Sequence, residues 1–139
     1  MKYQHILVAL ELSEDSNVLI DRAVFLAKQF DANISFIHID GTHGEIYPEL
    51  IDIQSHDGDI PLKKNSVDQL KGFETYANHP IHSFLVGTGD LSDKLHDTIL
   101  DHKVDLLICG HHHDFWSNIV SYSKHLINKS PVDILIVPI

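Results

Sequence analysis

Five short runs rich in Ile, Leu and Val, at residues 6–10, 34–39, 83–86, 106–109 and 134–137, constrain this chain more than any other feature. Most show no clean apolar/polar alternation. A strand with one wet face alternates, whereas a strand covered on both faces does not need to. The runs therefore predict a parallel sheet buried between two helical layers. The stretches between them carry helical signals. Ser13 is placed to cap a first helix, with Glu14 and Asp15 in its positive first turn and Leu19, Ala23, Leu26, Ala27 and Phe30 recurring on one face. Pro61 suits the first turn of a second helix, whose thin apolar stripe is Val67, Leu70 and Phe73. Asp90 or Ser92 starts a third, with Leu91, Leu95 and Ile99 together. A fourth is expected over residues 115–129, with Ile119, Leu126 and Ile127 facing inward. Strand–helix alternation of this kind implies a doubly wound α/β fold with helices on both faces. Residues 40–60 break the pattern. They hold Gly41, Gly44, Pro48 and Gly58 and a helical turn near residues 47–51, and a connection that long is usually functional or mobile.

Composition narrows the function classes. The chain has 139 residues, 43% hydrophobic and 22% charged, which fits one globular domain that needs no disulfide or metal staple. Its single cysteine, Cys109, excludes an internal disulfide and fits a reducing compartment. Twenty acidic residues against ten basic ones leave a net charge of -10, which argues against nucleic acid or an anionic membrane surface as partner. Neither a targeting segment nor an apolar run near the ~20 residues of a membrane span is visible, so a cytoplasmic protein is expected. Twelve histidines make its charge sensitive to pH between about 5 and 7.

In open α/β sheets ligands bind beyond the carboxyl ends of the strands. The segments to inspect are 11–13, 40–43, 87–90 and 110–117. The last reads Gly110-His111-His112-His113-Asp114-Phe115-Trp116-Ser117. A phosphate cradle there has one glycine, Gly110, and a carboxylate, Asp114, beside the anion. A metal site would need adjacent histidines to converge on one ion, whereas zinc ligands are normally separated; no metal site is assigned. His38, inside an apolar run, reads as a hydrogen-bonded packing residue. Cys109 reads as buried and inert. Asp52 with Asp57, and Asp97 with Asp101, read as solvated surface. A catalytic constellation cannot be assembled, so no enzyme is expected.

Several strings carry a resemblance. Ile6-Leu7-Val8-Ala9-Leu10-Glu11-Leu12-Ser13-Glu14-Asp15-Ser16 resembles the first strand and turn of the universal stress protein family. Ser35-Phe36-Ile37-His38-Ile39-Asp40 is similar to its second strand, and Gly87-Thr88-Gly89-Asp90-Leu91 to the segment after its third. Residues 105–117, with the Gly-His-His-x-Asp-Phe-Trp-Ser string, are similar to the A-type subfamily, as are 126–128 and 132–138. The resemblance spans essentially the whole chain. It implies a five-stranded parallel sheet in the order 3-2-1-4-5.

Part of that family binds ATP through Gly-x2-Gly-x9-Gly-[Ser/Thr], with an acidic residue after the first strand; the A-type group resembles it in fold without that loop. Counted from Gly110, the motif's later positions fall on His113, Ser123 and Lys124. Anchored on the last strand instead, Val120-Ser121 fall on the Gly-Ser pair. Side chains at His113 or Val120 obstruct the backbone approach that glycine permits. Glu11 stands where an Asp is usual. Tight ATP binding is therefore not expected, and no cofactor is assigned. A residual AMP or ATP pocket would use Ala9, Glu11 and Ile39 for the adenosine half and Gly110 and Ser121 for the phosphates. The resemblance also implies phosphorylation on Ser or Thr, for which Ser117, Ser121 and Ser123 are available. It further implies a homodimer through the last strand, residues 132–139, with Val132, Ile134, Ile136 and Pro138 at the interface. A long apolar edge strand needs covering, and Pro138 limits pairing at one end.

Overall fold

In the computed structural model, residues 3–40, 50–55, 62–88, 91–111 and 132–139 are described, with the side chains of Asp40 and residues 91–93 set aside. The element order is β1 (His5–Ala9), α1 (Ser16–Phe30), β2 (Asn33–Asp40), β3 (Ile51–Asp52), α2 (Lys64–Ala77), β4 (Ser83–Thr88), α3 (Leu91–Asp101), β5 (Leu106–Gly110) and β6 (Asp133–Val137). Each of the five apolar runs forms a strand. Their parallel pairings give β4-β2-β1-β5-β6, the 3-2-1-4-5 order, with β1 at the centre.

The expected strand count needs one correction. Among the described residues the sheet has six strands, because β3 adds two residues antiparallel to the outside of β4. Ile51, expected in a helical turn, therefore lies in a strand. The pairing rests on Ile51 opposite Val86 and Asp52 opposite Leu85, and the Ile53 N–H donates to the Phe84 carbonyl at 2.9 Å. Asp52 is not solvated surface either. Its Oδ1 accepts from the Gln54 N–H at 3.0 Å and from the Phe84 N–H at 3.1 Å.

Strand periodicity divides the core. Ile6, Val8, Ile34, Phe36, Phe84, Val86 and Ile108 pack on one face against Leu19, Ile20, Ala23 and Ala27 of α1 and Leu70 and Phe73 of α2. Leu7, Ala9, Ile37, Leu85, Leu107 and Cys109 pack on the other against Leu95 and Ile99 of α3. This follows from chain direction. The path β1–β2–β4 moves one way across the sheet, and the crossover from β4 to β5 reverses it, so right-handed connections put α3 on the opposite face. Phe36 and Phe84 meet edge to face at 5.2 Å in the first cluster, an arrangement worth about 0.5–1.5 kcal/mol beyond area burial.

The helix starts also differ from expectation. Ser13 heads a lead-in turn rather than α1: its Oγ accepts the Asp15 N–H at 3.2 Å, its carbonyl accepts the Ser16 N–H at 3.0 Å, and Asp15 is the N-cap. The N-cap of α2 is Lys63, and Pro61, expected in the first turn, lies outside the described residues. The predicted helix at 115–129 lies outside the described residues. At their far ends the three helices turn through non-glycine residues with positive φ: Asp31 (54°), Asn78 (46°) and Lys103 (53°). After α1 the amide two residues past the helix closes the turn, Ala32 to the Ala27 carbonyl, and after α3 the amide three residues past it does so, Val104 to the Ile99 carbonyl, both at 3.0 Å.

Candidate functional site: the crevice at the carboxyl ends of the central strands

β1 pairs with β2 on one side and β5 on the other, while the chain leaves β1 for β2 and reaches β5 only after reversing. The β1/β5 gap is therefore the topological switch point. Four of the residues expected there are brought to it. Ala9 ends β1 and is buried, Ile39 is near the end of β2 and half-buried, Gly110 ends β5, and Glu11 lies just beyond β1. Ser121, and Ser117 and Ser123 with it, lie outside the described residues, as do His112, His113 and Asp114. Among the described residues no group of three His, Cys, Asp or Glu is placed to hold a metal ion.

The four do not share one surface. Ala9 and Ile39 belong to the α3 side of the sheet. Gly110 opens toward the α1 side, where a Cβ built on it would come 2.3 Å from Ile139 Cδ1 and 3.7 Å from Leu19 Cδ1. The space that glycine leaves is thus filled by the Ile139 side chain. Gly110 has a packing purpose here, the close approach of residue 139 to β5.

Glu11 is held by a residue that sequence reasoning passed over. The fully buried Ser16 accepts the Glu11 N–H at 3.1 Å and donates its own proton to the Glu11 carbonyl at 2.9 Å. This double clasp fixes the loop after β1, and a Ser seven residues past the strand, amid other cap candidates, gave little sign of it. The half-buried Glu11 also acts on its neighbour across the gap. Burial first, and the Glu11 charge second, push the Cys109 thiol up to about 12. Cys109 is buried and stays a thiol, as expected of an inert packing residue. His38 also conforms to expectation: buried, with Nδ1–H donating to the Leu10 carbonyl at 2.8 Å.

Beside the crevice, β6 forms the sheet's edge. The Asp133 N–H donates to the Asp105 carbonyl, and the Val137 carbonyl accepts from the His111 N–H, both at 3.1 Å. Odd-numbered residues of β6 thus turn their main chain to β5, and Ile134 and Ile136 turn theirs outward. Val132, Ile134 and Ile136 are half-buried against the α3-side core.

Comparison with known proteins agrees with this architecture. One structural neighbour, a universal stress protein in complex with cAMP, superposes with a TM-score of 0.67 at 19% identity, covering 99% of this chain and 98% of that one. Another, the universal stress protein from Archaeoglobus fulgidus in complex with dAMP, gives 0.62 at 15%, covering 98% of each. At those identities the likeness is one of fold. Sequence carries more: universal stress protein A of Salmonella typhi is 42% identical over 139 residues, 100% of this chain and 96% of that protein. The profile of the universal stress protein family matches residues 2–138. The chain belongs to the universal stress protein family.

Proposed function

We propose that this chain is a non-enzymatic stress-response protein of the cytoplasm, working as a homodimer through β6 and holding no ATP tightly. Membership of the family supports the stress-response role. The observation that carries the nucleotide part is Ile139 seated on Gly110: the one motif glycine that survives is used for packing. Glu11 places a carboxylate at the switch point, and the net charge of -10 opposes a polyanion further. His113 and Val120 stand where glycines would let backbone amides reach phosphates. For the dimer, the outward main chain of Ile134 and Ile136, flanked by Val132 and Pro138, is a ready pairing edge. Among the described residues no helix is long and apolar enough to cross a membrane.

A second reading, a nucleotide-binding regulatory module, is favoured by one observation. Ala9, Glu11, Ile39 and Gly110 do gather at the strand ends, and two neighbours of like fold were solved with cAMP and dAMP. Calorimetric titration of the full chain with ATP, cAMP and dAMP separates the two. Absence of micromolar ATP binding is expected, and micromolar affinity replaces the first reading with the second. Loss of that signal in Gly110→Trp then locates the pocket. Sedimentation at micromolar concentration tests the dimer, and a species of one chain's mass removes it.

A further inference from the structure

The opposite end of the sheet carries a buried polar chain that the crevice does not use. His5, the first residue of β1, is 7% exposed, and both ring nitrogens are engaged. Nδ1 lies 2.8 Å from the His102 carbonyl oxygen, and Nε2 lies 2.7 Å from Ser35 Oγ. Ser35 Oγ is in turn 2.8 Å from Ser83 Oγ. The two serines are register partners on β2 and β4, 1% and 5% exposed. One imidazole thereby joins β1, β2, β4 and the turn after α3.

The hydrogen bonds have one direction. A carbonyl only accepts, so Nδ1 carries the proton. The neutral ring then accepts at Nε2 from the Ser35 hydroxyl, and Ser35 accepts from Ser83. A second ring proton reverses the first bond: Nε2–H must donate to Ser35 Oγ, and the hydroxyl proton that had bonded the ring must find another acceptor among the two serines' surroundings. The titratable groups facing the ring are mostly hostile to a cation. His82, from the turn into β4, stands edge-on with centroids 5.3 Å apart, and His102, from the turn after α3, lies at 6.4 Å. Asp105, at the foot of β5, is the one anion among them. Its carboxylate is occupied with the Gln4 and His5 main-chain N–H groups at 2.9 and 3.1 Å.

We propose that this chain of His5, Ser35 and Ser83 is a proton-operated latch, closed while His5 is neutral and released when acid protonates it, so that the amino end of the sheet loosens at low pH. Burial, the largest influence, pushes the His5 imidazole below its ordinary value; the bond to the His102 carbonyl opposes this, His82 and His102 add to it, and Asp105 offsets part. The sign follows. Above about pH 6.5 the ring is neutral folded or unfolded. Below that the unfolded chain takes the proton first, and stability is lost as pH falls through the folded value.

Nitrogen-15 NMR of the labelled full chain tests this. The Nδ1–H tautomer is expected, with a titration midpoint below about 6.5. Amide protection across residues 33–36 and 83–86, corrected for intrinsic exchange, should fall at least about tenfold between about pH 7 and pH 5. His5→Asn keeps a donor for the His102 carbonyl without a titrating ring and should flatten that fall. An Nε2–H tautomer, a midpoint at or above the ordinary value, or the same fall in His5→Asn overturns the latch. If His5→Asn does not fold, the double variant His82→Asn/His102→Asn decides. Removing the two like charges should raise the His5 midpoint, and an unmoved midpoint overturns the proposal.

Discussion

At one edge of the sheet β3 lays two residues antiparallel against β4, and at the other β6 lies parallel to β5 with the main chain of Ile134 and Ile136 turned outward. The first edge is closed by chemistry as well as by length. Past the end of β3, where no backbone carbonyl is in place, the Asp52 carboxylate takes the Phe84 N–H. A short strand ending in a charge is a poor template for another chain. β6 has five residues, no charge after Asp133 and a row of apolar side chains. The fold blunts one edge and leaves the other suited to pairing, which is why the proposed dimer uses β6 and not β3.

That contrast can be broken at several points. Phe84 is fully buried one strand inside the blunted edge, whereas Leu135 on β6 is half-buried. Phe84→Ala should cost about 3–5 kcal/mol in urea unfolding. Leu135→Ala should cost less than half as much when dimerisation is held constant, and equal losses would mean the two edges are buried alike. Next in size is Asp52→Ala, which leaves the Phe84 N–H without its acceptor and should cost about 1–3 kcal/mol. Asp52→Asn keeps an acceptor oxygen and should lose about half of that; light scattering should show Asp52→Ala associating more readily than wild type. The smallest effect is on assembly. Ile134→Pro removes an outward N–H and spares the bonds to β5, so the dimer should weaken at least tenfold, about 1.4 kcal/mol. Unchanged sedimentation would exclude this edge from the interface.

The parallel core was legible because burial on both faces leaves a mark in the chain itself, the short runs rich in Ile, Leu and Val that mostly lack a polar alternation. The apolar stripe of α2, and Leu95 and Ile99 of α3, were legible through helical spacing. What escaped was set by distant partners. Two residues at 51–52 make a strand only because β4 is beside them, and Asp52 gains its role from an amide 32 residues away. Ser13 and Ser16 are equally good caps locally; Ser16 is drawn inward by the Glu11 main chain, which leaves Ser13 to a lead-in turn. Glycine at 110 suggested a ligand, and only the folded chain brings Ile139 onto it. His5 attracted no notice because nothing near it in sequence resembles its partners Ser35, Ser83 and the His102 carbonyl.

Asp31, Asn78 and Lys103 all sit where a helix hands the chain back to the start of a strand, far from the crevice. Each holds a left-handed conformation that glycine adopts more cheaply, by up to about 1 kcal/mol. Among the described residues, this conformational tension is therefore kept at the end remote from Glu11 and Gly110. Glycine at Lys103 should raise the melting temperature while leaving the crevice untouched, so resilience and recognition are tuned by separate sets of positions.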